Sequence, residues 1–204
     1  MKGLENVGFK MPEGLRKCVE FHGHLCPGLV YGYLVAETAM NLLELNRSED
    51  EEVVAISEND SCAIDALQVL LGTSIGKGNL ILKDYGKNAY TVLNRKSKTA
   101  YRFSRKNEYR YDGQSQDEFI RLDAAISSGT ATAAEKRRHK VLKSQDLLIK
   151  PFDDVFSTEK TDCAIPPYAP LARSEACAKC GEMTMSTKMV QDANGKYVCI
   201  PCGA

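Results

Sequence analysis

Three side chains able to ligate a metal stand on alternate positions in the stretch FHGHLCPG: His22, His24 and Cys26. Alternate side chains of an extended or loosely turned segment fall on one side, so all three can face one point. Gly23 lets the backbone turn sharply between the histidines. Two imidazoles and a thiol suit a soft or borderline ion such as zinc, iron, copper or nickel. They equally suit a cysteine nucleophile with a histidine base, and spacing does not separate ligand from nucleophile. A buried, chemically idle cluster is the third reading, because cysteine often packs as a small apolar residue.

If Pro27 is the first residue of a helix, Cys26 is its N-cap, where free N–H groups and the helix dipole favour a thiolate. Cys62 stands at the start of another expected helix, and the same argument applies to it. Asp65, one turn beyond Cys62, is placed to orient a histidine or accept a proton. Lys77, in TSIGKGN, is a candidate for holding an anionic group. Catalytic work, if any, would therefore fall to Cys26, Cys62, Asp65 and Lys77, and the core metal to His22, His24, Cys26 and Cys62. Cys18, a turn upstream, reads as core.

A second cluster lies near the end of the sequence. CAKC and CIPC set Cys177, Cys180, Cys199 and Cys202 as two C-x2-C pairs with eighteen residues between them. Each pair can form a tight knuckle that presents two sulfurs, and two knuckles complete a tetrahedral zinc site. The intervening TMSTKMVQDANGKYVC reads as a hairpin with DANG at its turn. This pattern is a zinc ribbon, and some thirty residues without a core need the metal to fold.

The elements that must position these residues can be read from periodicity and punctuation. A short helix is expected over Glu13–Glu20, then a longer one from Pro27, with Leu29, Tyr33, Ala36, Met40 and Leu43 recurring at steps of three or four. A strand is expected over Val53–Ser57. The next helix starts near Cys62, capped by Asp60 or Ser61 and stopped by Gly72. LILKDYG, AYTVLN and TAYRFSR read as strands. Ser115 caps a helix that Gly129 closes, and Thr132 with Glu135 forms a capping box for a last helix ending at Pro151. CAIPPYAPLAR reads as a stiff linker. The expected architecture is α+β, a mostly antiparallel sheet packed with helices. Its divisions are a core over 1–160, a Pro-rich linker over 161–173 and the zinc ribbon over 174–204.

Lys and Arg number 27, as do Asp and Glu, so net charge points to no partner, and only local clustering can. From Arg95 to Tyr111 seven basic residues face one acid, interleaved with tyrosines and a phenylalanine. Single-stranded nucleic acid can bind such a pattern, but it reads first as a strand with a buried aromatic face and a solvated basic one. Nucleic acid is therefore not an expected partner. GTSIGKGN departs from a P-loop in the spacing of its glycines and in having Gly78 after Lys77. His139 reads as exposed helix surface. Neither MKGLENVGFKMPEG nor any later segment carries an apolar run fit for a signal peptide or membrane span, so the expected location is cytoplasmic. There thiols stay reduced, and eight cysteines call for metal or catalysis before disulfides.

Taken together, FHGHLCPGLVYGYLVAETAM, NDSCAIDALQVLLGTSIGKGNLILKDYGKNAY and the four-cysteine ribbon resemble the FmdE family, named for formylmethanofuran dehydrogenase. The first two segments cover the core to about Leu93. The resemblance implies an α+β core, often homodimeric, with a zinc ribbon appended in some members. It also implies that His22, His24, Cys26, Pro27 and Gly28, then Cys62 with Asp65, then Gly76 to Asn79, line a metal-binding active site. The family takes its name from a molybdenum or tungsten enzyme that reduces carbon dioxide onto methanofuran. The polypeptides of that enzyme are therefore implied partners, through metal-dependent catalysis or an accessory role in one-carbon metabolism. The implied cofactors are zinc in the ribbon and a second ion, zinc, iron or nickel, in the core. Two other classes stand beside this one: a cysteine enzyme without a core metal, and a non-catalytic ribbon protein that docks protein or nucleic acid.

Overall fold

Five strands make one mixed sheet in the order β2-β1-β3-β4-β5, in a computed structural model that describes residues 10–203. The expectation drawn from the first nine residues lies outside the described part. The chain divides into two compact units between Pro166 and Pro167. In the first, α1 (Glu13–His22) and α2 (Pro27–Leu42) precede β1 (Val53–Ser57), α3 (Ala63–Leu71) and β2 (Leu80–Leu82). Then come β3 (Ala89–Asn94), β4 (Thr99–Arg105), α4 (Gln116–Ser127), α5 (Ala133–Ile149), α6 (Phe152–Val155) and β5 (Phe156–Thr161). Only β1 and β2 run parallel, because α3 carries the chain back across the sheet between them. The other pairings are antiparallel, so the α+β class with a largely antiparallel sheet holds.

Alternation along the strands separates two faces. Val53, Ala55, Tyr90, Val92, Phe103 and Phe156 pack with α1, α2 and α3 into the main core. Val54, Ile56, Leu93 and Ala100 form a second cluster on the opposite face, with Ile81 and Cys163 against it. β4 shows how the basic segment is distributed. Tyr101 and Phe103 face the main core, whereas Arg102 points the other way and pairs with Glu58 at 2.7 Å.

Several elements correct the sequence expectations. Neither Asp60 nor Ser61 caps α3; Cys62 is its N-cap, with no side-chain hydrogen bond to the helix. Ser115 likewise makes no side-chain cap on α4. The capping box of Thr132 and Glu135 is formed in full. β5 has no counterpart in the sequence reading: FSTEKT has one large apolar residue, and its strand identity comes from pairing along β4, where an edge strand tolerates polar side chains. His139 is not free surface. Its ring stacks on Phe119 at 4.6 Å and its Nε2 lies 3.1 Å from Asp123, because α4 and α5 pack side by side.

The second unit contains β6 (Ser174–Ala176), β7 (Met183–Met185), β8 (Met189–Gln191), β9 (Tyr197–Cys199) and α7 (Ile200–Gly203). β6 pairs with β7 and β8 with β9. The expected hairpin is therefore shorter than the sequence suggests, since Met183–Met185 pairs backwards with β6. Its turn is the expected one: the Asp192 carboxylate accepts from the Asn194 and Lys196 N–H groups. Among the described residues no helix is long and apolar enough to cross a membrane.

Candidate functional site

The C-terminus of α1 and the N-termini of α2 and α3 deliver the first cluster. α1 ends on His22, and Gly23 closes it in the left-handed region at φ 92°, a conformation glycine adopts without strain. The chain then runs through His24 to Cys26, the N-cap of α2, whose sulfur accepts the Leu29 N–H at 3.4 Å. The donor atoms of His22, His24 and Cys26 lie within 4.8 Å of one another. Cys26 is buried, His22 half-buried and His24 exposed, so the cluster opens to solvent on its His24 side.

The hydrogen bonds fix the state of His22. Its Nδ1 lies 2.7 Å from the Asp65 carboxylate, which can only accept when ionised, so Nδ1 carries the proton. Nε2 is left with its lone pair toward Cys26 Sγ, 3.6 Å away. Tetrahedral bonds of about 2.0 Å to nitrogen and about 2.3 Å to sulfur would separate such a pair by about 3.5 Å. A carboxylate behind the imidazole is the usual second partner of a metal-bound histidine. Asp65 is itself steadied by Gln68, whose amide donates to its other oxygen at 3.2 Å. His24 is held below its usual pKa, first by burial and then by His22 and Lys140, which keeps its ring neutral as ligation requires.

The sequence argument for a Cys26 thiolate is overturned. The Leu29 N–H does lower the Cys26 pKa, but burial outweighs it, and the neighbouring Cys62 adds to the rise, so the thiol is pushed up to about 11. At neutral pH without a cation it is protonated and donates toward His22 Nε2. A thiol in that state is a poor nucleophile, which counts against the metal-free cysteine enzyme. Cys62 sits beside Cys26, in interaction with it, yet outside the trio whose donors converge. Cys18 is fully buried and its thiol is pushed up to about 12, chiefly by burial. Lys77 is engaged elsewhere: its ammonium donates to the carbonyls of Ser48 and Glu49.

One residue that shapes the site escaped the sequence reading. α2 and α3 touch through Gly28 and Gly32. A Cβ on Gly28 would lie 3.1 Å from the Cβ of Cys62, and one on Gly32 only 2.1 Å from the Ala63 carbonyl oxygen. Two glycines four apart on one helix face were the available signal.

The second cluster is the ribbon's. The sulfurs of Cys177, Cys180, Cys199 and Cys202 lie within 4.8 Å of one another, with Cys180 and Cys199 3.9 Å apart. A tetrahedral ion with bonds of about 2.3 Å spaces its sulfurs by about 3.8 Å, so the set fits a zinc ribbon. Backbone N–H groups of Cys180, Cys199 and Lys179 hold the Cys177 thiol down to about 6. The neighbouring thiols push Cys202 up to about 12, because four sulfurs at such distances do not all ionise without a cation. Gly181, at φ 79°, closes the first knuckle through its N–H to the Cys177 carbonyl at 2.8 Å.

Three comparisons place this geometry among known proteins. A family described as "FmdE, Molybdenum formylmethanofuran dehydrogenase operon" matches residues 21–162. A protein of Archaeoglobus fulgidus, described as a probable S-adenosyl-L-methionine-binding protein, is 28% identical over 203 residues, spanning 97% of this chain and 54% of that protein. The chain thus spans about half the length of that curated relative. A crystal structure of an FmdE-like protein of tungsten formylmethanofuran dehydrogenase, from Syntrophus aciditrophicus, superposes with a TM-score of 0.57 at 20% identity, covering 99% of this chain and 96% of the other. At that identity the likeness is one of fold.

Proposed function

Because the chain belongs to the FmdE family, we propose that it is a metal-binding protein with two centres of different kind. In the ribbon, Cys177, Cys180, Cys199 and Cys202 close a structural zinc site. In the core, His22, His24 and Cys26 are the ligands, Asp65 orients His22, and Cys62 borders a fourth position left to water or substrate, the arrangement of catalytic metals. The observation that carries this reading is the state of His22, with Nδ1 on Asp65 and the Nε2 lone pair facing Cys26.

The set of two nitrogens and one sulfur suits zinc, iron or nickel. A bound ion of this class supplies Lewis acidity and a more acidic water. The chain's own part is to fix the ligands: Gly23 turns His24 back toward His22, α2 buries Cys26, and α3 brings Asp65 behind the imidazole. Lys77 has no part in it, its ammonium being committed to backbone carbonyls. The same reading places the protein in the cytoplasm as a homodimer, beside a molybdenum or tungsten formylmethanofuran dehydrogenase, as a metal-dependent enzyme or an accessory to that enzyme.

Metal content measured by mass spectrometry on untagged protein tests the proposal. The expected result is two ions per chain in the native protein and in Cys62→Ser, and one in Cys26→Ser. Asp65→Asn should weaken the core ion about 10- to 100-fold in a competition titration. One ion per chain in both native protein and Cys26→Ser would sink the core centre.

A further inference from the structure

Away from both cysteine clusters, the first unit holds an open groove of about 610 Å³ between α2, the loop after β4, α5 and α6. That is the size of a small-molecule site. Leu147 and Val155 supply an apolar wall, and Tyr31, Arg105, Tyr109 and Lys150 supply polar groups. The charges differ in whether they are already satisfied. Lys150 pairs with Asp112 and, at 3.4 Å, with Asp146, and the Tyr109 hydroxyl donates to Asp146 at 2.6 Å.

Arg105 stands apart. It is half-buried, its Nε donates to the Asn107 carbonyl at 3.0 Å, and its guanidinium lies 5.1 Å from the centre of the Tyr31 ring. Among the described residues no carboxylate comes within ion-pair distance of it. The Tyr31 hydroxyl beside it also has no hydrogen-bond partner among them. Behind Tyr109, half-buried Lys143 rests 4.2 Å from that ring's centre, again without a carboxylate in reach. Burial and the repulsion of Arg105 hold its pKa below the usual lysine range. Two half-buried cations without a counter-ion cost stability unless an anion reaches them.

We propose that this groove binds a small organic anion, whose carboxylate or phosphate group is held by the Arg105 guanidinium and the Tyr31 hydroxyl. Arginine's fork of N–H groups matches both oxyanions, and Leu147 and Val155 face the ligand's carbon frame. Glu108 and Asp154 on the rim are exposed, so water screens them; they limit the ligand's charge without excluding it. The site uses none of the proposed metal ligands, so it stands or falls separately from the core centre.

Calorimetric titration of the full chain with adenosine 5′-monophosphate, citrate and adenosine tests this. Saturable binding is expected for at least one of the two anions and not for adenosine. Arg105→Gln should weaken it about tenfold or more, the worth of one charge-assisted hydrogen bond, and Tyr31→Phe several-fold. Arg121→Gln, which removes an exposed pair with Glu135 on another face, should leave it unchanged. Circular dichroism shows whether Arg105→Gln folds; if it does not, Tyr31→Phe, which loses a single oxygen, decides. The proposal is overturned if neither anion binds at about 5 mM, a weak-site concentration, if adenosine binds as well as they do, or if the deciding variant binds like the native chain.

Discussion

Cys177→Ser should cost the second unit its fold while leaving the thermal transition of the first in place. Cys177, Val198 and Cys199 are the buried residues that hold this unit together, with Cys202 packed against them, so its core consists largely of its own metal ligands. A module of that size lacks the apolar burial to offset chain entropy. Binding energy of about 10–16 kcal/mol at a structural zinc site is then folding energy. Cys177 is the most sensitive of the four, because backbone N–H groups on both knuckles converge on its sulfur. Amide resonances of residues 174–203 are expected to lose their dispersion, and one metal ion per chain to disappear. A ribbon that stays dispersed in the variant would show that its fold does not rest on the ion.

The second large effect is expected from one methyl group. Gly32→Ala would set a Cβ 2.1 Å from the carbonyl oxygen of Ala63 and 2.7 Å from its carbonyl carbon and Cα. Every atom met is backbone, so no side chain can swing aside, and α3 must move off α2. Overpacking of this kind costs about 2–4 kcal/mol. The same displacement carries Cys62 and Asp65 with it, so the core metal should weaken as well. Thermal unfolding of the first unit and its metal content measure the two effects together. A variant as stable as the native chain, with its core metal intact, would mean that the helices do not meet as described.

Much of the site was legible because its ligands are close in the chain. His22, His24 and Cys26 span a single turn between helices, and the punctuation by Gly23 and Pro27 was enough to place that turn. The ribbon was readable for the same reason, each knuckle being local. What the residues could not show was burial. Whether a helix N-terminus lowers the Cys26 pKa or surroundings raise it depends on how deeply the sulfur lies, and here it is almost wholly covered. Lys77 illustrates the same limit. Its neighbours in sequence suggest an anion site, whereas carbonyls twenty-eight and twenty-nine residues away claim its ammonium. β5 was hidden because an edge strand needs a partner more than it needs apolar alternation. His139 was misread because its environment is a different helix, α4, whose packing no local pattern announces.

The core centre is the claim on which the functional reading depends, and an anomalous-scattering map of metal-loaded crystals tests it most directly. Two peaks per chain are predicted. One should lie among the four ribbon sulfurs. The other should lie at bonding distance, about 2.0–2.3 Å, from His22 Nε2 and Cys26 Sγ, with His24 as third ligand and Asp65 still hydrogen-bonded to His22 Nδ1. A single peak in the ribbon, with His22 and Cys26 unliganded in fully metal-loaded protein, would contradict the account.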